Sequence, residues 1–297
     1  LLSRADVLIE NYRGGTMEKL GYGYETLKEK HPKLIYAAVS GFGHTGPYSK
    51  RPAYDMVVQA MGGVMSLTGH PGGPPTRVGT STGDLTAALF ATIGIVTALY
   101  DREKTGGGQK VDVAMLDSQV AVLENAISRY VATGDVPGKL GSRHPSIAPF
   151  AAFATKDGHI AIAAGNDDIW ARVCRVMDRE ELITDERFLT NPLRVQHVDA
   201  MAAEMEKSLA AKPSKEWLAA LEAEGVPCGP INNVAQVMED PQVLSRNMII
   251  ETLDPDLGPI KMQGNPVKLS AHDDPKTREA APDLDADRAA ILKEFGL

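Results

Sequence analysis

One carboxylate, Asp84, lies at the start of a long apolar run. The stretch GTSTGDLTAALFA (79–91) places it directly after a glycine, and residues from Asp84 to about Arg102 predict a nearly all-apolar helix in the protein interior. Aspartate is a preferred helix N-cap, so capping is one interpretation. The other is chemistry, because N–H groups at a helix start stabilise an ionised carboxylate, and an accessible carboxylate is a nucleophile. The two interpretations are compatible.

The other chemical motifs favour structural roles. The segment GFGHTG (41–46) follows a predicted strand, but Pro47 and further loop residues delay the next helix. We therefore interpret it as a glycine loop or tight turn, not as a dinucleotide site. The glycines at 106–108 predict a helix C-cap and turn. Ser40 lacks the flanking glycines of a nucleophile elbow, and Asp117 is predicted to cap the helix that follows it.

The composition excludes several classes of protein. A chain of 297 residues, 43% hydrophobic and 24% charged, is long enough for two globular domains. The net charge of −8 argues against a nucleic-acid partner. No residues have metal-ligand spacing, so no metal is expected. Cys174 and Cys228 are expected to be buried, reduced thiols. No apolar run approaches about 20 residues, so no membrane span is expected.

The pattern of elements indicates an α/β protein. Strand-like runs at 5–10, 33–41 and 109–116 are separated by helical segments, which predicts a parallel sheet. After a Gly- and Pro-rich linker or active-site loop at 134–150, the chain predicts an α+β block. The remaining predicted elements are helices at 53–69, 118–134, 167–178, 198–211, 214–224 and 286–297, a hairpin turning at 157–158, and a strand-like segment at 258–270.

Several stretches together resemble the family III CoA-transferases, the CaiB/BaiF group that includes formyl-CoA transferase. They are ADVLIENYRGG (5–15), AVSGFGHTGPYSKRPAYDMVVQAMGGVMSLTG (38–69), the Asp84 segment, REKTGGGQKVDVAMLDSQ (102–119) and GVPCGPINNVAQVMEDPQV (225–243). The resemblance implies a Rossmann-like large domain formed from both chain ends plus a smaller α+β domain. Its boundaries would be 1–140 for the first part of the large domain, 141–240 for the linker and small domain, and 241–297 for the return segment. Family members begin with a further βαβ segment that carries part of the CoA site, so the resemblance implies that this chain begins after it.

The resemblance also implies the site and the reaction. Asp84 would attack an acyl-CoA thioester, and CoA would pass through an aspartyl anhydride and an aspartyl-CoA thioester to a carboxylic acid. Coenzyme A and acyl-CoA would be substrates, with no permanently bound cofactor. Arg143 and His144 would lie in the acceptor region, in a loop that resembles those of dicarboxylate-using, succinyl-CoA-dependent members. The implied CoA contacts are Asn11, Tyr12, Arg13, Lys19, Arg51, Pro52, Ala53, Tyr54 and Asp55.

Two other functions stay open beside CoA transfer. The family includes 2-methylacyl-CoA racemases, whose catalytic His would fall at position 54, where this chain has Tyr54. Tyrosine is a poor base at neutral pH, so the transferase is favoured. The third hypothesis is a truncated acyl-CoA-binding module without activity. The resemblance further implies an interlocked homodimer. We expect a cytoplasmic location, with a mitochondrial one as the alternative.

Overall fold

The structure is a computed structural model that describes residues 1–296. The chain packs as two compact units, Leu1–Pro145 and Ser146–Leu297. Both units contain helices and a β-sheet, which confirms the α/β class expected from the sequence. The finer boundaries at 140 and 240, and the return of residues 241–297 to the large domain, stay predictions.

The first unit is built on a parallel sheet of three strands in the order β1-β2-β3. The central strand is buried from Ile35 to Ala38, because helices cover it and its residues are apolar. The three strands expected from the sequence are thus confirmed in place and direction. They are β1 (Val7–Glu10), β2 (Ile35–Ser40) and β3 (Lys110–Ala114).

Two helices predicted as continuous are each broken in this unit. Gly62 and Gly63 separate α3 from α4, and Gly63 has a φ of 88°. A Cβ on Gly62 would lie 2.5 Å from Gln119 Cβ, so glycine permits the close approach of α3 and α6. Glu124, with a φ of 54°, separates α6 from α7. The helices are α1 (Thr16–Lys19), α2 (Tyr24–Lys30), α3 (Asp55–Met61), α4 (Val64–Leu67), α5 (Thr82–Thr105), α6 (Met115–Ala121) and α7 (Asn125–Thr133).

Helix α5 packs on β2 and β3 along one side and on α3 and α6 near its start. The expectation that the whole helix is buried is wrong, because its buried positions are small residues, Gly83, Ala87, Ala91 and Ala98. Its opposite side exposes larger apolar residues such as Leu89, Ile93 and Val96. The expectation that no segment reaches spanning length also fails here. Over the described residues, α5 is the one helix long and apolar enough to cross a membrane by length and composition.

The second unit contains the predicted hairpin of β4 and β5, which turns at Asp157-Gly158 and pairs with β6. Its core is formed by apolar residues of the hairpin and of four helices, with Trp170 and Trp217 almost fully buried. The helices predicted at 167–178, 198–211 and 214–224 are confirmed. The elements are β4 (Phe150–Ala154), β5 (His159–Ala163), α8 (Asp167–Val176), α9 (Asn191–Gln196), α10 (Val198–Leu209), α11 (Ser214–Ala223) and β6 (Cys228–Pro230).

The remaining strands of this unit form a third sheet, with strand order β8-β7-β9. The segment predicted to be strand-like at 258–270 contains β8 in its first part, and β8 pairs antiparallel with β7. Cys174 is buried and Cys228 half-buried, and both thiols are free. Burial raises the pKa of Cys174 to about 12, which makes it unreactive. The elements are α12 (Val234–Glu239), α13 (Pro241–Ser245), β7 (Ile249–Asp254), β8 (Gly258–Gln263), β9 (Thr277–Glu279) and α14 (Arg288–Phe295).

Candidate active site

A cavity of about 730 Å³ opens in the first unit at the carboxyl ends of β1 and β2. Its walls are the loop after β1 (11–13), the loop after β2 (40–42 and 51–54) and one side of α5 that includes Asp84. In parallel α/β sheets, ligands bind beyond the carboxyl ends of the strands, because the loops there converge. The fold therefore brings most of the predicted site residues to one place.

Asp84 is the third residue of α5, and it does not cap the helix. The N-cap position is Ser81, whose side chain makes no capping hydrogen bond. The carboxylate of Asp84 is solvent-exposed and, among the described residues, has no hydrogen-bond or ion-pair partner. The first turn is capped instead by Asp55, whose Oδ1 accepts the backbone N–H of Gly83 at 2.8 Å. The capping interpretation of Asp84 is therefore wrong, and its carboxylate remains available to a ligand in the cavity.

Asp55 lies at the start of α3 and is buried behind the cavity wall. It accepts Gln59 Nε2 at 2.8 Å, and Arg77 Nε and Nη2 at 3.0 and 2.9 Å. Burial raises the pKa of this carboxyl, but the hydrogen bonds from Gln59, Gly83 and Arg77 outweigh burial and hold the pKa below its ordinary value. Asp55 was expected to contact CoA, yet it is not among the residues that line the cavity.

The electrostatic environment of Asp84 differs from the sequence expectation. Partial burial raises the pKa of its carboxyl, and the negative charge of Asp55 raises it further, while Arg77 opposes both effects. The helix N-terminus alone would favour the ionised form. Desolvation and the neighbouring carboxylate together outweigh the opposing charge of Arg77, so ionised Asp84 is more basic than an ordinary aspartate. A more basic carboxylate is also a stronger nucleophile.

Two arginines supply positive charge to the cavity wall. Arg13 follows β1, and Arg51 lies with its guanidinium 4.5 Å from the Tyr48 ring and 5.4 Å from the Phe42 ring. These aromatic contacts hold Arg51 in place while leaving its donors free for an anion. Lys19 ends α1 on the surface and is not part of the cavity wall. The wall is thus suited to a ligand that carries phosphate groups.

Buried polar groups stabilise the loops of the cavity. Glu10 ends β1, where its carboxylate accepts the Tyr12 backbone N–H at 2.7 Å and the Tyr36 hydroxyl at 3.3 Å. His44 Nε2, from the loop after β2, lies 3.4 Å from the same carboxylate. Burial and the nearby Glu10 raise the pKa of Tyr36. The hydroxyl of Ser40 is buried in the cavity wall without a hydrogen-bond partner among the described residues, so a ligand can supply one.

Arg143 and His144 do not line the cavity that contains Asp84. They line a smaller cavity of about 230 Å³ together with Arg129 and the residues around the break between α6 and α7. The three potentially cationic side chains outnumber the Glu124 carboxylate on the same wall, so the cavity suits an anion. Within the described residues, no group of three or more His, Cys, Asp or Glu side chains could hold a metal ion.

The loop at 41–46, Gly106 and Asp117 are other positions that were interpreted from the sequence. The segment 41–46 forms a loop, with positive φ at Gly43 and Gly46, and the next helix along the chain, α3, begins at Asp55. Gly106 caps the C-terminus of α5 in the left-handed region, as predicted. Asp117 was predicted to be a cap, but the N-cap of α6 is Ala114 without a side-chain hydrogen bond, so that prediction is wrong.

Arg77 and Gln59 were missed in the sequence. Gln59 bridges two segments, because it donates to Asp55 and its Oε1 accepts the Val78 N–H at 3.0 Å. Arg77 lies in the loop before α5, 22 residues beyond its partner Asp55. The buried face of α3, on which Asp55 and Gln59 are one turn apart, was the available signal. Nothing in the local pattern around Arg77 indicates its partner.

Comparison with known proteins gives consistent matches. The family model for CoA-transferase family III matches residues 1–288. The chain is 47% identical to an acetyl-CoA:oxalate CoA-transferase of Acetobacter aceti, over 99% of this chain and 75% of that protein. It is 38% identical to the human succinyl-CoA:glutarate CoA-transferase, over 99% of this chain and 67% of that protein. The crystal structure of a CAIB/BAIF family protein from Brucella suis superposes with a TM-score of 0.84 and 39% identity, over 99% of this chain and 76% of that one.

Proposed function

The chain belongs to CoA-transferase family III, and from this premise we propose that it transfers coenzyme A from an acyl-CoA to a carboxylic acid with Asp84 as the nucleophile. One observation carries the proposal. The Asp84 carboxylate lies on the wall of the large cavity and has no partner among the described residues, because Asp55 caps the helix in its place. A carboxylate whose structural role is filled by another residue is free to form a covalent bond.

The first half of the reaction moves CoA onto the protein. An Asp84 oxygen attacks the thioester carbonyl of the donor, the C–S bond breaks, and a mixed anhydride forms with release of CoA thiolate. The thiolate then attacks the Asp84 carbonyl. This step gives an aspartyl-CoA thioester and releases the donor acid, which carries away one oxygen of Asp84. The first turn of α5 offers backbone N–H groups and a partial positive charge to the developing oxyanion.

The second half moves CoA to the acceptor. The acceptor carboxylate attacks the aspartyl-CoA thioester, so a new mixed anhydride forms and CoA thiolate leaves again. The thiolate attacks the acceptor carbonyl, which yields the product acyl-CoA and regenerates the Asp84 carboxylate with one oxygen taken from the acceptor. Each step exchanges one acyl bond for another, so no oxidant, reductant or net proton is needed. Covalent intermediates divide a difficult exchange between carboxylates into easier steps.

The surroundings of the cavity support CoA as the ligand. We assign Arg13 and Arg51 to its phosphates, because both line the cavity and guanidinium groups suit phosphate, and the loop segments 11–13 and 51–54 form the wall around them. Tyr54 is exposed on the same wall. A tyrosine in this position supports CoA transfer over exchange of an α-proton, because it is a poor base at neutral pH. Lys19 is assigned no role in the cavity.

The acid substrates are proposed from the names of the relatives. One relative is named for acetyl-CoA and oxalate, another for succinyl-CoA and glutarate. We therefore assign this chain a dicarboxylic acceptor and a short acyl-CoA donor, with succinyl-CoA and acetyl-CoA as the first donors to test. The proposed role of Arg143 and His144 in binding the acceptor is tested by replacing Arg143 with Gln and measuring the KM for the acid separately from that for acyl-CoA.

An intermediate on Asp84 is tested by chemical trapping. The protein is incubated with acetyl-CoA or succinyl-CoA, treated with hydroxylamine, digested and analysed by mass spectrometry. We expect a hydroxamate on the peptide that contains Asp84, only when acyl-CoA is present. Asp117→Asn is the matched control, because Asp117 is also an exposed third residue of a helix but lies outside the cavity. Trapping must survive in Asp117→Asn and disappear in Asp84→Asn; a wild-type protein that turns over without modification at Asp84 contradicts the proposal.

We also propose that the protein is a homodimer. The larger apolar residues on one side of α5, among them Leu89, Ile93 and Val96, are exposed within the first unit. A contiguous exposed apolar face of this kind is typical of an interface between chains. Light scattering coupled to size-exclusion chromatography gives the mass in solution, and a monomer at micromolar concentration would contradict the proposal.

A further inference from the structure

The start of α5 is held by residues distant in sequence. Its own N-cap residue, Ser81, accepts Arg77 Nη2 at 3.1 Å and makes no capping bond to the helix. The Gly83 N–H is taken by Asp55, 28 residues earlier. Arg77 binds both Ser81 and Asp55, because its Nε and Nη2 atoms also donate to Asp55 Oδ2 at 3.0 and 2.9 Å. The guanidinium therefore connects α3 to the first turn of α5.

Close packing makes this arrangement specific. A Cβ on Gly83 would lie 2.6 Å from Val58 Cγ2 and 3.1 Å from Asp55 Oδ1. Glycine at this position lets the first turn of α5 approach α3 closely enough for the Asp55 carboxylate to reach a backbone N–H. Asp55 has two carboxylate oxygens, and one faces Gly83 while the other faces Arg77. Loss of the arginine would remove two of the three hydrogen bonds to this second oxygen and leave Gln59 Nε2, at 2.8 Å, as its remaining donor.

We propose that Arg77 is a positioning residue for the reaction at Asp84, because it holds the Asp55 carboxylate against the first turn of α5 and so keeps the Asp84 carboxylate unengaged on the cavity wall. This inference rests on the proposed function of Asp84. Arg77 is not among the residues that line the cavity, and it positions the start of α5 through its hydrogen bonds to Asp55. Its second role is electrostatic, since its positive charge balances the negative charge of Asp55 beside the nucleophile.

The charged neighbours of Asp84 make the electrostatic role testable. Asp55 from α3 and Arg77 from the preceding loop act on Asp84 in opposite directions. The other ionisable groups on the cavity wall are Tyr12, Arg13, Arg51 and Tyr54. Removing Arg77 leaves the Asp55 charge unbalanced, which raises the pKa of Asp84. Removing the Asp55 charge leaves Arg77 unbalanced, which lowers the pKa of Asp84. A purely structural pair would not give opposite shifts.

The experiment measures the titration of Asp84 without turnover. Protein labelled with 13C at the aspartate carboxyl carbons is titrated by NMR, and the Asp84 signal is assigned with Asp84→Asn. The variants are Arg77→Gln, Arg77→Lys and Asp55→Asn. Arg102→Gln is the matched control, because Arg102 forms a comparable pair with Asp6 at 2.9 Å at the other end of the same helix. Arg77→Lys keeps the positive charge, and Asp55→Asn removes the negative charge while keeping one acceptor oxygen, so these two variants keep the test decisive if Arg77→Gln does not fold.

We expect a higher midpoint in Arg77→Gln, a lower one in Asp55→Asn, and values near wild type in Arg77→Lys and Arg102→Gln. The kcat of Arg77→Gln should fall by about 10- to 100-fold with little change in the KM for acyl-CoA, because a displaced nucleophile affects the chemical step. Shifts of the same sign in Arg77→Gln and Asp55→Asn, or a wild-type midpoint and kcat in Arg77→Gln, overturn the inference. Failure of the proposed function is a separate result, since it would be seen as wild-type turnover without modification of Asp84.

Discussion

Each unit of the chain contains an arginine that binds an aspartate and at least one backbone carbonyl, but the two clusters have different surroundings. Arg194, in the second unit, is fully buried, donates to the Ala148 and Phe188 carbonyls at 2.7 and 2.9 Å, and pairs with Asp167 at 2.6 Å. In the first unit, Arg77 pairs with Asp55 beside the cavity.

The difference lies in what each cluster leaves unpaired. Arg194 lies against Trp170 in an apolar core, and its donors connect three segments of the same core. We therefore interpret the role of Arg194 as structural. The Arg77–Asp55 pair instead binds the Gly83 N–H at the start of α5, and Asp84, which follows Gly83, lies on the cavity wall without a partner in the part of the chain that the structure describes. A fully hydrogen-bonded polar cluster can thus either stabilise a core or support a functional site. The exposed Asp84 carboxylate beside the Arg77–Asp55 pair is what favours the functional role.

The largest expected effect is that of Asp84→Asn. The amide cannot form the anhydride, so kcat should fall by at least about a thousandfold. The free energy of unfolding should stay equal or increase. The pKa of Asp84 is raised in the folded protein, so the protein loses stability as the pH rises through the folded pKa and Asp84 ionises. The uncharged amide of asparagine removes this destabilisation at neutral pH. Steady-state kinetics and urea unfolding at pH 7 measure both effects; a stability loss comparable to the activity loss would indicate a structural role.

Arg194→Met should give the opposite profile. Methionine fills much of the volume but leaves two buried carbonyl groups without donors, so the free energy of unfolding should fall by roughly 3 kcal/mol. The kcat per folded molecule should stay within about twofold of wild type, because Arg194 does not line the cavity and its replacement removes no contact that the proposal assigns to the transition state. Denaturant titration and active-site counting measure these quantities. If kcat falls and stability does not, the contrast between the two clusters is wrong.

Arg13→Gln should weaken substrate binding without affecting stability. Loss of one charge-assisted contact to a phosphate is expected to raise the KM for acyl-CoA about tenfold, with kcat nearly unchanged. Lys19→Gln is the matched control, since Lys19 is a nearby exposed cation outside the cavity. Its KM should change by less than about twofold. Equal effects of the two replacements would mean that charge near the chain start acts non-specifically.

The smallest effect concerns stability at acid pH. The folded pKa of Asp55 is depressed, so its pairing contributes stability that is complete above the unfolded pKa of 3.8 and is lost as pH falls through the folded value. Asp55→Asn should therefore flatten the decrease of unfolding free energy below about pH 4. Unfolding curves at several pH values down to 2 provide the measurement. An unchanged acid dependence would show that Asp55 does not make the expected contribution.

Local patterns predicted much of the fold. The strands of the first sheet, the hairpin at Asp157-Gly158 and the helices of the second unit followed from β-branched runs, turn residues and helical periodicity. The helix break at Gly62-Gly63 was missed, because it depends on the close contact between α3 and α6. The break at Glu124 was missed as well, because its positive φ has no local sequence signal. The apolar face of α5 was interpreted as buried, since a single sequence cannot say which apolar face is covered within one chain.

The candidate site was predicted unevenly for the same physical reason. Asp84, Arg13 and Arg51 were identified through the resemblance, and the fold brings all three to one cavity. Asp55 was grouped with the CoA contacts through the same resemblance, but it does not line the cavity, because a helix directs consecutive side chains to different sides. Arg77 was missed because pairing across 22 residues leaves no periodic signal. Sequence therefore identified the groups on the cavity wall and missed those behind it.

The central claim, that Asp84 is the covalent nucleophile, is tested most directly by following oxygen. The protein is given an acyl-CoA donor and an acceptor acid whose carboxylate oxygens are both 18O, and the peptide that contains Asp84 is isolated after turnover. The proposed sequence of anhydride and thioester predicts that Asp84 gains 18O from the acceptor, while Asp117 gains none. Formation of labelled product acyl-CoA with no 18O in Asp84 would contradict the account.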